Sequence, residues 1–441
     1  MPEPQGNVDS QPSPEDEALV APPPRVGRFR LPPTFASLQH RNYRLLWFGT
    51  MVSSSGDWMD QVAFNWLVWE LTHSPVWLAW ANFARFLPVL VFTLIGGVVA
   101  DRVERRKLLF GTQTIAMALA TALAVIVTAG IAQVWMVIAI AAGRGIMNSF
   151  NQPARQSLIS ELVPEDDLPN AIALNSATMN STRVIGPAIG GTLIATVGMA
   201  GAFWVNVVTF ALLLVALAMM RFPPRSEVQH RSSVLRDLVD GFHYLRGHPQ
   251  LRLLVLLALV PILLGQPYVT MLPIFASDVL HIGGGGLGAL NTASAVGAVA
   301  GSLSVASFPA GARLGWWMLA GLAGFGLALM VFALSQTLVL SVVALIGLGL
   351  LRQTYQASNN VLIQTHVDPV YRGRVLSTLT LDRGLVPAGT MMAAVGSTMI
   401  GVQWTIALMS AALVVLALLV AWSAPSLRAL KAGSTRSARR H

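Results

Sequence analysis

Eight charged side chains stand inside long apolar segments of this chain: Asp57, Asp60, Arg85, Arg144, Arg183, Arg352, Asp382 and Arg383. An ionised group at the centre of a membrane-crossing helix costs about 2.5–3.5 kcal/mol on an insertion scale, so such groups pair or line a cavity. Asp60 lies ten residues before Glu70, and Arg85 lies ten residues after Pro75. The two share a depth on consecutive segments of opposite direction, which suits an ion pair. Arg352 and Asp382 match in depth in the same way, and there a structural salt bridge is the simpler reading. Desolvation favours a neutral carboxyl and a nearby arginine favours a charged one, and a carboxyl held between the two can load and release a proton. Asp57 and Asp60 are therefore candidate proton carriers, with simple helix pairing as the competing role. Trp58, beside Asp57, is the aromatic residue best placed to stack on a cargo molecule.

The elements that must hold these groups are helices. Of 441 residues 54% are hydrophobic and 11% charged, where soluble domains carry roughly 25% charged residues. Apolar blocks such as Leu108–Thr128 and Leu314–Leu334 hold no charge, and about 20 apolar residues cross a bilayer as a helix. Twelve such segments can be drawn, from 45–70 to 402–424. The expected fold is an all-α membrane protein, with twelve transmembrane helices in two six-helix halves.

Charge sets the orientation. Of the 29 Lys and Arg residues, 24 fall in the two tails and in the loops after even-numbered segments, and none falls in the other loops. By the positive-inside rule both termini are cytoplasmic, in a plasma (inner) membrane. The basic balance thus reports topology, and nucleic acid is not an expected partner. Residues 1–33 read as a cytoplasmic tail without an apolar core, 34–221 as the first half and 222–250 as a linker. Within the linker, residues 234–242 have amphipathic spacing suited to the membrane surface. Residues 251–425 form the second half and 426–441 a basic tail. Gly96/Gly301, Gln61/Gln266, Pro164/Pro369 and Gly191/Gly396 recur at an offset of 205, a faint echo of two parallel repeats.

After the second segment comes Gly97-Val-Val-Ala-Asp101-Arg102-Val-Glu104-Arg105-Arg106. It resembles the G-x-x-x-D-R-x-G-R-R signature of the major facilitator superfamily, with Glu104 in place of the second glycine. The resemblance implies a cytoplasmic latch built on Gly97, Asp101, Arg102, Arg105 and Arg106. Phe308 to Arg313, the matching loop of the second half, has lost the acid. Gly186-Pro187-Ala-Ile-Gly190-Gly191 is similar to the helix-5 core of the proton-coupled antiporters, which implies a hinge; a packing seam is the alternative. Gly143-Arg144-Gly145 partly matches a helix-4 motif linked to proton coupling. Ser55-Gly56-Asp57-Trp58, Arg85-Phe-Leu-Pro88, Pro153-Ala-Arg-Gln156, Pro273-Ile-Phe-Ala-Ser-Asp278 and Arg372-Gly-Arg374 resemble the branch of enterobactin exporters and macrolide efflux proteins.

These readings imply a secondary transporter that exports small amphiphilic molecules by proton antiport with alternating access, acting as a monomer in the lipid bilayer. Import of a polar metabolite by symport is the alternative. Five intramembrane arginines against three aspartates form a cationic vestibule that favours acidic cargo. The chain has no cysteine, no phosphate-binding Gly-Lys-Ser/Thr loop and no His/Glu cluster. Metal, cofactor and enzymatic chemistry are not expected, and the proton gradient is the energy source.

Overall fold

A backbone without water beside it must satisfy its N–H and C=O groups within its own segment, and the apolar stretches accordingly fold as helices. The computed structural model describes residues 33–220, 243–309, 311–368, 371–379 and 382–431. Among these residues there is no β-strand. The amphipathic stretch 234–242 lies outside the described residues, as do 1–32 and 432–441.

The first half begins with a 3₁₀ turn, Pro33–Gln39. It continues through α1 (Arg41–Thr72), α2 (Pro75–Arg102), α3 (Arg105–Thr128) and α4 (Val134–Leu162). Then follows α5 (Leu168–Met219), interrupted at Gly198, whose non-helical φ of 74° and ψ of 177° break it between the segments expected at 168–197 and 200–221. The second half comprises α6 (Pro249–Gly265), α7 (Pro267–Ile274) with a π turn at Phe275–Val279, and α8 (Gly283–Ala306). It ends with α9 (Leu314–Leu334), α10 (Leu338–His366), α11 (Arg372–Thr378), α12 (Asp382–Ile400), α13 (Val402–Ser423) and the short α14 (Pro425–Arg428). Prolines open α2, α6 and α7, where the missing N–H is not needed.

Seven helical stretches among the described residues have the length and apolarity to cross a membrane, and Gly384–Ile400 is a shorter apolar helix. Helices α1 and α4 are missing from that set although each is 29 residues or longer. They carry Asp57, Asp60 and Arg144, which dilute their apolarity. Helix α8 is diluted instead by glycine and serine.

In the first half α1 lies along α5, α2 along α4, and α3 against α4 and α5. In the second half α8 lies along α10, and α9 packs on α10 and α13. The halves meet where α5 crosses α8 and where α12 crosses α2. Trp135, Val339, Met399, Trp404 and Trp422 are exposed on the outer surface, as the lipid-facing side of a membrane protein requires. The second half runs on into the expected basic tail, because Leu427 of α14 is fully buried and Leu430 accepts a hydrogen bond from Gly315 N–H.

The turn before α1 is fastened to the turn before α5. His40 Nε2 lies 2.7 Å from Asp167 Oδ2, Gln39 Nε2 donates to the same oxygen at 3.0 Å, and Ser37 N–H donates to Asn170 Oδ1 at 3.0 Å. Tyr43, on the first turn of α1, donates to Ala171 O at 2.8 Å. The hydrogen bonds from His40 and then Gln39 hold the Asp167 carboxyl below its ordinary range.

Candidate functional site

Four of the charged residues converge at one depth between α1, α2 and α4. Asp57 and Asp60 stand three residues apart on α1, so they occupy neighbouring faces of the helix. Arg144 of α4 reaches both: Nη1 donates to Asp60 Oδ2 at 2.6 Å and Nη2 to Asp57 Oδ1 at 3.1 Å. Arg85 of α2 adds a third contact, Nη1 to Asp60 Oδ2 at 3.3 Å. Two acids and two bases therefore form one balanced network. Arg144 also lies 5.7 Å from the centre of the Phe210 ring, and Arg85 5.7 Å from that of Phe64.

The local sequence explains why α4 delivers Arg144 here. A Cβ on Gly145 would lie 2.2 Å from the backbone oxygen of Arg85. Only glycine lets α4 press this closely on α2, and the approach puts the two arginines side by side. One turn further along α1, Gln61, Asn65 and Asn82 tie α1 to α2, with contacts of 2.9 Å from Gln61 Nε2 to Asn82 Oδ1 and from Asn82 Nδ2 to Asn65 Oδ1.

The two carboxylates differ in surroundings. The Asp60 side chain is 1% exposed, whereas that of Asp57 is 46% exposed although it sits mid-helix. Asp57 therefore faces open space between the helices. Asp60 Oδ2 receives both arginines, while Oδ1 is buried with no hydrogen-bond partner. A buried carboxylate oxygen without a donor is unfavourable by about 1–3 kcal/mol or more.

The remaining candidates fall elsewhere. Arg183 lies over the Trp58 ring, its Cζ 5.4 Å from the ring centre, so one face of that ring is covered. A Cβ on Gly186 would lie 2.4 Å from Trp58 Cβ, and one on Gly190 2.8 Å from Met59 O. These two glycines seat α5 on α1, with Pro187 between them. Gly191 faces the other way, where a Cβ would lie 1.9 Å from Gly288 Cα of α8, so it sits where the halves meet. Arg105 pairs with Glu161 of α4 within its own half. Arg106 lies on the first turn of α3. The side chains of Asp101, Arg102, Asp382 and Arg383 lie outside the described residues, as does Gly97 beyond its place in α2. Arg352 borders a separate cavity in the second half. Among the described residues no cluster of His, Asp or Glu could hold a metal ion.

Sequence reading did not single out Gly145 as the contact that aligns the arginines, nor Asn65 and Asn82. It also missed the fastening of His40 to Asp167, for which residues 127 apart give no local signal.

Residues 33–440 match the family model described as "Transmembrane secretion effector". The chain belongs to this family of major facilitator transporters. It is 26% identical to the staphyloferrin A transporter of Staphylococcus aureus, over 80% of this chain and 89% of that one. It is 24% identical to macrolide efflux protein A of Streptococcus pyogenes, over 83% and 92%. With the multidrug efflux pump Tap of Mycolicibacterium fortuitum it shares 27% identity, over 88% and 97%. The fold is similar to that of a bacterial homologue of the human lysosomal transporter Spinster in an inward-facing, occupied conformation. That match has a TM-score of 0.68 at 15% identity and covers 88% and 98% of the two chains. A peptide transporter of the POT family in complex with alafosfalin gives the same TM-score at 14% identity, over 92% and 97%. The chain is thus a multi-pass membrane transporter of an efflux family rather than an enzyme.

Proposed function

We propose that this transporter exports small amphiphilic molecules across the plasma membrane in exchange for protons. It would do so with twelve spans in two six-helix halves and both termini cytoplasmic. Helix α5 supplies two spans by its break at Gly198, and α11 with α12 supplies one. The names of the relatives support export as the direction and siderophores, macrolides and other drugs as the range of cargo.

The observation that carries proton coupling is Arg144 bridging one open and one buried carboxylate. A guanidinium has a planar fork that can hold two carboxylates at once. A proton arriving at exposed Asp57 weakens its hold on Nη2, and Arg144 then turns fully to Asp60. A proton reaching Asp60 Oδ1 neutralises the buried acid and leaves the arginines in excess. The two loaded states place different charge at the wall of the cavity, which gives the halves a reason to change position with proton load. Alternating access then couples that change to cargo movement.

The test is substrate-driven proton flux in proteoliposomes containing wild type, Asp57→Asn or Asp60→Asn. Both variants are expected to lose proton flux while still folding and inserting, with Asp60→Asn the more severely affected. Wild-type coupling in both would defeat the proposal.

A further inference from the structure

The second half holds a polar cavity of about 200 Å³ that the charge network does not use. Arg352 and Gln356 of α10 border it, with Asn359 and Asn360 one turn further on and Gln266 from the junction of α6 and α7. Phe325 and aliphatic side chains of α6 complete the wall.

Two of its polar groups are fixed by the protein. Tyr355 donates its hydroxyl to Leu257 O, and Asn359 Nδ2 donates to Leu254 O at 3.2 Å. The rest have no such partner among the described residues. Arg352 has no acidic partner among the described residues, and neither Gln266, Gln356 nor Asn360 makes a side-chain hydrogen bond there. Asn359 is 2% exposed, and its Oδ1 is buried without a partner. In the first half every buried arginine of the network meets a carboxylate. In the second half a cation and several amides border one cavity.

We propose that this cavity is the subsite that receives the acidic end of the cargo, an oxyanion such as a carboxylate carried on an apolar body. The inference rests on the exporter reading above and assigns its substrate class. Arg352 supplies the charge-assisted contact, the amides supply donors and acceptors beside it, and Phe325 packs on the adjoining apolar part. The volume sets the scale. Sites that enclose a drug-sized ligand have about 300–1,000 Å³, so this cavity holds one end of a cargo whose remainder lies between the halves. The division of labour follows: the first half handles protons and the second half reads cargo.

The probes are fluorescein and rhodamine 6G, which share a xanthene ring system but carry opposite charge. Binding to purified protein in neutral detergent is read by fluorescence anisotropy, and efflux is read separately in energised everted vesicles. Wild type is expected to bind fluorescein in preference to rhodamine 6G. Losing a hydrogen bond to a charged group is equivalent to a roughly 10- to 100-fold change in affinity. Arg352→Gln should raise the fluorescein Kd by that factor and leave that of rhodamine 6G unchanged. Arg352→Lys should recover part of the loss.

An unchanged fluorescein Kd in Arg352→Gln, equal loss for both dyes, or no fluorescein binding by wild type overturns the subsite. Displacement of fluorescein by added phosphatidylglycerol at equal potency would assign the cavity to a lipid headgroup and overturn it too. Arg352-dependent binding without energised efflux of either dye would instead count against the exporter reading while leaving the anion site in place.

Discussion

At the residue scale the network is asymmetric, and its energetics should be as well. The Arg144–Asp60 contact is short and buried, whereas the Arg144–Asp57 contact is longer and its acid half-exposed. Removing one partner of a buried pair costs about 3–5 kcal/mol, because the other charge is left stranded, while exposed pairs contribute about 0–1 kcal/mol. Double-mutant cycles on thermal stability in detergent should therefore give a coupling energy of about 2–3 kcal/mol for Arg144 with Asp60, and less than about 1 kcal/mol for Arg144 with Asp57. Equal couplings would remove the distinction between a buried and an open carboxylate. The sequence showed that Asp60 and Arg85 share a depth, since helix rise fixes depth from residue counts. It did not show that Arg144 bridges both acids. That depends on how closely α2 and α4 approach, which is set by contacts between residues 60 apart.

At the scale of elements, helix crossings follow from where glycines meet backbone. Replacing an exposed mid-helix glycine by alanine gains up to about 1 kcal/mol in propensity. Forcing a methyl group into a filled contact costs about 1–3 kcal/mol. Gly145→Ala places its Cβ 2.2 Å from Arg85 O, whereas a Cβ at Gly111 of α3 meets nothing within 4 Å. Gly145→Ala should lower the unfolding temperature and reduce coupled efflux, while Gly111→Ala should leave both unchanged or raise the temperature slightly. Two equivalent outcomes would show that α2 and α4 do not depend on this contact. The faint 205-residue echo has a counterpart in these crossings. Gly96 of α2 lies on Ser149 of α4, and Gly301 of α8 lies on Leu350 of α10, each with a Cβ position 2.4 Å from a backbone oxygen.

The fastening of the first turn to the start of α5 is also a matter of elements, and it depends on pH. Asp167 has a folded pKa held below the ordinary value of 3.8. Its contribution is therefore present above that value and lost as pH falls through the lowered folded pKa. Trypsin cleavage at Arg41 and Arg44 should accelerate in Asp167→Asn at neutral pH. For the wild type, the protection of the Ser37 amide against exchange, taken relative to its intrinsic rate at each pH from 5 down to 2, should fall at the acid end. Constant protection over that window would mean that the carboxylate does not hold the turn.

At the scale of the whole molecule, export requires the halves to separate where α5 meets α8 and then close again. At that junction Ala195 Cβ lies 3.4 Å from the position of a Cβ on Gly285, beside the contact of Gly191 with Gly288. Disulfide bonds span Cβ atoms about 3.5–4.5 Å apart, so Ala195→Cys with Gly285→Cys should oxidise readily. The native chain has no cysteine, which leaves the engineered pair as the sole thiols. The spacing of charge and apolarity gives the expectation of a carrier of two halves. It did not show which faces touch, because close packing of small residues leaves no hydropathy signal. The oxidised double variant should bind cargo but carry out no efflux, and reduction should restore transport to the level of the unoxidised variant. Each single-cysteine variant should transport whether oxidised or reduced, since neither can form the bridge within one chain. Efflux at an undiminished rate through the cross-linked protein would mean that this junction does not open during transport. Alternating access would then have to pivot about α5 and α8 rather than part them, with the open space beside Asp57 reached from the opposite end alone.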